Sequence, residues 1–278
     1  MPTLTGVEAR RREQAQVLRP EVPGARVEVG RVPPPEDLRW CVDYAWSVRW
    51  DTPAPYRQAV VPRPAVHVSA ERWEGQPRLV VTGVPSRLFH RVLEGQGRAI
   101  AVAFRPAGFR PFTDRPARAL VDRAGPYPDL LGGPPDADLA ARLLAPDQDV
   151  ADACADLLAW FAERAPAPDP RADELSGLVE AIERDTSIRG AEQAAALAGV
   201  SLRTLQRRFR DYVGPSPKWV VQRYRLLDVV EAAHTATEVD WAELAAELGY
   251  SDQSHLIRHF RTLVGRPPAS YARATADT

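Results

Sequence analysis

"SLRTLQRRFRDYVGPSP", Ser201 to Pro217, sets a thin apolar stripe against a row of charged side chains and then halts at Gly-Pro-Ser-Pro. Fifty-one residues later the same frame returns. Leu205, Arg207, Phe209, Arg210, Val213, Gly214 and Pro217 are answered by Leu256, Arg258, Phe260, Arg261, Val264, Gly265 and Pro268. Just upstream the offset becomes 50, with Ala195, Ala198, Gly199 and Ser201 answered by Ala245, Leu248, Gly249 and Ser251, so the second copy carries one extra residue in its turn. Two copies make a duplicated module and not a solenoid.

Each copy reads as a short Ala-rich helix, a tight turn at Gly, a capped second helix and a Gly stop. Ser201 is placed to cap the first of these second helices, and Asp252, with Ser251 beside it, the other. Gly214 and Gly265 stand where a left-handed residue ends a helix, with Pro just beyond. Two helices joined through a short Gly-containing turn are a helix-turn-helix.

In 201–213, Leu202, Leu205, Phe209 and Val213 share one face, and Arg203, Gln206, Arg207 and Arg210 share another at i, i+3, i+4, i+7. Arg reads guanine edges and Gln adenine edges, and either can hold phosphate. Between 201 and 225 seven basic residues face one acid, Asp211, inside a chain of formal net charge −1. A lone helix of this kind is more often just a solvated surface. The same turn, apolar frame and arginine row appearing twice shift the balance to nucleic acid.

Around this module the helical pattern continues: 174–185, 191–199, 201–213, 217–236, 240–249 and 252–264 read as six helices. The run RAPAPDPR, 164–171, disfavours both helix and strand and reads as a linker. Before it, 150–164 has helical spacing, and further upstream short β-prone runs at 25–31, 57–61, 65–69, 78–84 and 99–104 alternate with turns. The stretch 37–50 is ambiguous, although its Trp, Val and Tyr suit a strand. The expected architecture is α+β in two domains: a mainly β barrel or sandwich with a helical end over 1–164, a linker at 165–172, and an all-α double helix-turn-helix over 173–278.

The 278 residues, 45% hydrophobic and 26% charged, are enough for two cores. Cys41 and Cys154 form no CxxC pair, which argues against a disulfide framework or a cysteine zinc site. No run approaches a membrane helix, and the first sixteen residues lack a signal-peptide core, so the expected location is the cytoplasm. His67 and His90 are the only histidines before the linker and no HxH pair occurs, so no metal or other cofactor is expected. No phosphate-binding Gly loop or nucleophile elbow is present, and no enzymatic activity is expected. The aromatics Trp40, Tyr44, Trp46, Trp50 and Tyr56 suit core packing better than a pocket. Trp40, Tyr44 and Trp46, with His67, are nevertheless the ligand-binding candidates of this half.

At these residues the chain resembles the AraC/XylS family of bacterial transcription regulators. The likeness covers about 174–273 and is carried by the doubled helix-turn-helix, the long helix between the copies and the run "LGYSDQSHLIRHFRTLVGRPPASY". The resemblance implies that two recognition helices enter adjacent major grooves. It implies base reading by Arg203, Gln206 and Arg207 and by Gln253, Ser254 and Arg258, with Ile257 on a thymine methyl. Ser201, Arg208, Arg210, Lys218, Arg261 and Arg266 are the candidates for the DNA backbone. Ala194 and Val229 depart from the family's usual Leu and Ala. "LRWCVDYAWSVRW", "FRPAGFRPF" and "DLLGG" resemble a cupin-like sensor domain found on some of these regulators, although Pro62-Arg63-Pro64 departs from its Pro-Asp-Gly turn. The partners implied are a double-stranded DNA operator, RNA polymerase, a small-molecule effector and a second copy of the chain. Two other classes are open: a cupin-type metal enzyme fused to a DNA-binding module, and a protein-interaction adaptor.

Overall fold

The structure, a computed structural model, describes residues 17–18, 26–132, 136–235 and 239–276. The N-terminal stretch 1–16, Gly133 of "DLLGG" and Ala236 at the end of the expected long helix lie outside the described residues.

The N-terminal part is built on one antiparallel sheet. Its strands are β1 Val17–Leu18, β2 Arg26–Val32, β3 Val42–Val60, β4 His67–Trp73, β5 Gln76–Thr82, β6 Phe89–Phe104 and β7 Ala124–Pro126. The hydrogen-bonded order is β1-β3-β6-β4-β5-β7, with β2 also on β3, an open path among the described residues. Two long strands dominate it. The expected runs at 57–61 and 99–104 are the ends of β3 and β6, which pair along their lengths. Pro53 and Pro55 mark the break that hid this: the register shifts between Thr52 and Tyr56. Proline cannot donate to a ladder and is accepted where a bulge interrupts it.

Three helices follow: α1 Tyr127–Leu131, α2 Ala137–Leu143 and α3 Val150–Ala162. Only the last was expected. Helices α2 and α3 lay Leu139, Leu143, Leu157 and Phe161 over Val68, Leu79, Ile100 and Phe104 of the sheet. Phe104 is the centre of a ring cluster, edge-on to Phe109 at 4.8 Å and Phe161 at 5.1 Å.

The C-terminal part is helical: α4 Pro170–Arg184, α5 Ala191–Leu197, α6 Leu202–Tyr212, α7 Pro217–Thr235, α8 Trp241–Glu247, α9 Gln253–Val264 and α10 Pro268–Ala276. Helix α10 was not foreseen, although Pro268 opens it just as Pro217 opens α7. Residues 170–172 of the stretch read as linker are the first turn of α4. Asp169 caps it by accepting from the Arg171 N–H at 2.8 Å, and Pro170 is pre-set for the first helical position.

The helical core gathers Leu205, Phe209, Val220, Tyr224, Leu256, Phe260 and Tyr271, and it also takes in Leu18, Val61 and Ala107 from the sheet side. Helix α4 carries this junction. Its acids receive arginines of the β-rich part: Arg63 meets Glu183 at 2.5 Å, and Arg105 meets Asp173 at 2.6 Å and Glu180 at 2.9 Å. Between them the buried Ser176 hydroxyl accepts from the Ala107 N–H at 3.2 Å.

Candidate nucleic-acid interface

Helix α6 starts where Ser201 leaves extended backbone and its hydroxyl oxygen accepts from the Thr204 N–H at 3.2 Å. Leu205 and Phe209 are fully buried, so the 3.6-residue period sends Arg203, Gln206, Arg207 and Arg210 to solvent, where all four are exposed. The helix ends as the Gly214 N–H reaches back to the Phe209 carbonyl at 2.7 Å, with φ at +101°. Only glycine adopts that backbone without strain.

Helix α9 repeats the plan. Asp252, and not Ser251, is its cap: the carboxylate accepts from the His255 N–H at 2.7 Å. That bond holds the Asp252 carboxyl below its ordinary range. Leu256 and Phe260 are buried, and Gly265 closes the helix in the left-handed region. The row equivalent to that of α6 is Ser254, Ile257, Arg258 and Arg261. Ile257 is half-buried and packs on the helical core, while Ser254, Arg258, Arg261 and Gln253 are exposed.

The remaining sequence candidates divide. Lys218 and Arg266 are exposed, at the starts of α7 and of the turn before α10, and the Arg266 guanidinium lies 5.5 Å from the Tyr271 ring centre. Arg208 is not a free cation. Its guanidinium turns to Glu174 of α4 at 2.8 Å, which ties α6 to its own domain.

The C-terminal end of α6 is also held from outside. Arg110 of the β-rich part donates to the Asp211 carboxylate at 3.1 Å and lies 5.7 Å from the Tyr212 ring centre. Gly214 abuts the short helical turn Ala117–Leu120 so closely that a Cβ there would sit 2.9 Å from Val121 and 3.3 Å from the Ala117 carbonyl. Arg110 stands in the "FRPAGFRPF" run, and only the solitary acid in the basic stretch hinted at a partner.

The aromatic cluster proposed for a ligand is closed. The Trp46 indole N–H donates to His67 Nδ1 at 3.1 Å, so that nitrogen must be the unprotonated one. Burial, with Arg63 and Arg31 near, pulls the His67 pKa down to about 4, and the ring is neutral at pH 7. Tyr44 lies under the Arg31 guanidinium at 4.3 Å, and Trp40 stacks with Phe112 at 6.5 Å. The cavity beside Tyr44 and His67 is about 10 Å³, room for one water and not an effector. Among the described residues no three His, Cys, Asp or Glu side chains gather as metal ligands, and no helix is long and apolar enough to cross a membrane.

Comparison with known proteins divides along the same lines. Residues 194–274 match a helix-turn-helix domain family, and residues 30–126 match a domain of unknown function, DUF6597. Among solved structures, the DNA-binding domain of the global transcriptional factor AdpA in complex with a target DNA is 29% identical over 39% of this chain and 95% of that one, with a TM-score of 0.33. An AraC-type transcriptional regulator from Chromobacterium violaceum is 21% identical over 37% and 92%, at 0.34. ToxT from Vibrio cholerae is 8% identical but covers 90% of this chain and 98% of its own, at 0.40. A search of curated proteins found no match.

Proposed function

We propose that this chain, a DNA-binding transcription regulator with an AraC-type helix-turn-helix domain at its C-terminus, binds by seating α6 and α9 in adjacent major grooves of one operator. The observation that carries this reading is the pair of equivalent helices, each buried on its Leu-Phe face and exposed on its polar row. Helix α7 joins the two modules. Its 19 residues span roughly 28 Å. That is close to the ~34 Å between successive major grooves on one face of DNA.

Arg203, Gln206 and Arg207 stand in the first half of α6, the part of a recognition helix that reaches base edges. Gln253, Ser254 and Arg258 take that role in α9, with Ile257 as an apolar contact. Ser201, Arg210, Lys218, Arg261 and Arg266 are assigned to phosphates. Arg208 can join them only by leaving Glu174. Residues 1–164 are assigned to effector binding or assembly, with the joint at 165–169 leading into α4.

The test is selection of bound sequences from random DNA, followed by footprinting with the full chain. One bound chain is expected to protect two adjacent major-groove segments. A single short protected segment per chain would reject the two-groove reading.

A further inference from the structure

Arg189 stands in the loop between α4 and α5, just ahead of the first helix-turn-helix. Its backbone is fixed locally. The Arg189 N–H donates to the Gln193 side-chain carbonyl at 2.8 Å, and the Gln193 amide donates to the Ser187 carbonyl at 3.1 Å. The Ser187 N–H in turn donates to the Asp185 carboxylate at 2.9 Å, and Ile188 is buried in the helical core. The loop therefore sends one exposed side chain in a set direction, away from its own module.

That side chain crosses to the second module. Its Nη2 donates to the Glu247 carbonyl at 2.9 Å, 58 residues on. Helix α8 ends there, and the last four carbonyls of a helix need partners from outside its own ladder. The N–H groups of Leu248, Gly249 and Tyr250 donate to the carbonyls of Leu244, Ala246 and Ala245. Arg189 serves the fourth, and its charge suits the negative end of the helix. Its stem lies on Gly249, where an added Cβ would sit 2.5 Å from Arg189 Cδ and 2.8 Å from Cγ. Asp252, the cap of α9, follows directly from this turn.

The equivalent turn of the first module is open. Ala198, Gly199 and Val200 close α5 with the same three backbone bonds, yet a Cβ added at Gly199 would meet nothing within 4 Å. The bridge is therefore no part of the repeated unit. It is an extra link laid from one copy onto the other.

We propose that Arg189 is a positioning residue that couples the two modules and so sets the half-site spacing that the chain accepts. Helix α7 joins the modules along the chain. Arg189 joins them a second time, at the turn that aims α9. Two links restrict a relative rotation that one link would leave free. On the two-groove reading, on which this rests, the restriction is read out on DNA. One inserted base pair moves a half-site about 3.4 Å along the duplex and turns it roughly 35°. Coupled modules do not follow that displacement, whereas uncoupled ones follow it in part.

The test rebuilds the selected operator with one base pair added to, or removed from, the segment between its half-sites. Fluorescence anisotropy then compares the full-length parent, Arg189→Ala and Arg189→Lys. The parent is expected to bind the native spacing at least about tenfold more tightly than either altered one. Arg189→Ala is expected to hold the native operator within about threefold of the parent while its discrimination between spacings falls by about threefold or more. Arg189→Lys, which keeps a stem and a cation, is expected to fall between the two. Arg189→Glu sets a carboxylate against the Glu247 carbonyl and breaks the same bridge. It serves if Arg189→Ala loses the parent's circular dichroism. The proposal is overturned if the parent discriminates between spacings and the folded variants discriminate equally. It is also overturned if the variants weaken every spacing alike, as loss of a merely stabilising contact would do. A parent indifferent to spacing would sink the two-groove reading itself, and this role for Arg189 with it.

Discussion

Arg110 and Asp211 meet at 3.1 Å across the boundary between the β-rich part and helix α6. Asp211 is the one acid between Ser201 and Arg225, so the only carboxylate in that basic stretch is committed to the other half of the chain. The pair is partly open, with side-chain exposures of 25% and 43%. Solvent screening therefore limits what it contributes.

A double-mutant cycle with Arg110→Gln and Asp211→Asn is expected to give a coupling below about 1 kcal/mol in denaturant melts. A coupling of several kcal/mol would show that the pair is far less solvated than its exposure implies.

Arg207 and Arg210 share a face but are assigned different work. Arg207→Ala should cost about 1–3 kcal/mol on the best operator and relax preference at one or two base pairs. Arg210→Ala should weaken all sequences alike and flatten the slope of log K against log salt by about one unit. Fluorescence anisotropy on matched and mismatched duplexes over a salt series separates the two. Equal losses on operator and random DNA for Arg207→Ala would reduce that residue to an electrostatic contact.

The two stop glycines should respond unequally to alanine. At Gly265 φ is +85° and nothing lies within 4 Å of an added Cβ. Gly265→Ala should therefore cost only the left-handed backbone penalty of about 1–2 kcal/mol. At Gly214 the same penalty is joined by crowding against Val121 and the Ala117 carbonyl. Gly214→Ala should lower Tm further than Gly265→Ala. Equal shifts would mean that α6 is not docked on that turn.

Asp252 should give stability an acid limb. Its folded pKa lies below the ordinary 3.8 because its carboxylate accepts from the His255 N–H. The charged form is thus favoured by folding. Its contribution is complete above the unfolded value and disappears as pH falls through the lowered folded one. Asn also caps helices but does not titrate. Asp252→Asn should therefore melt close to the parent at pH 7 and lose less than the parent on acidification. Parallel Tm curves across that range would refute the cap's role in acid stability.

The duplicated helices were legible because local rules agree there. Leu205 and Phe209, and Leu256 and Phe260, mark the buried face, while Ser201, Asp252, Gly214 and Gly265 mark the ends. The β-rich half was read in fragments because Pro53 and Pro55 look like strand breakers when they only interrupt the ladder of one long strand. The contacts of Arg110, Arg208 and Arg223 were not readable at all. Each depends on a partner far away in the chain, Asp211, Glu174 and Ser86, and no local period encodes such a meeting.

The rows on α6 and α9 occupy equivalent positions with unequal side chains: Arg203, Gln206, Arg207 and Arg210 on one, Ser254, Ile257, Arg258 and Arg261 on the other. A palindrome presents the same edges twice and would mismatch one of these helices. If both helices read bases as proposed, the operator of a single chain is a sentence read in one direction. Reversing it on the DNA would exchange the two half-sites, and under that reading the β-rich part would lie at the same end each time. Such a fixed polarity would decide which flank of the site, upstream or downstream, is left open beside the bound chain.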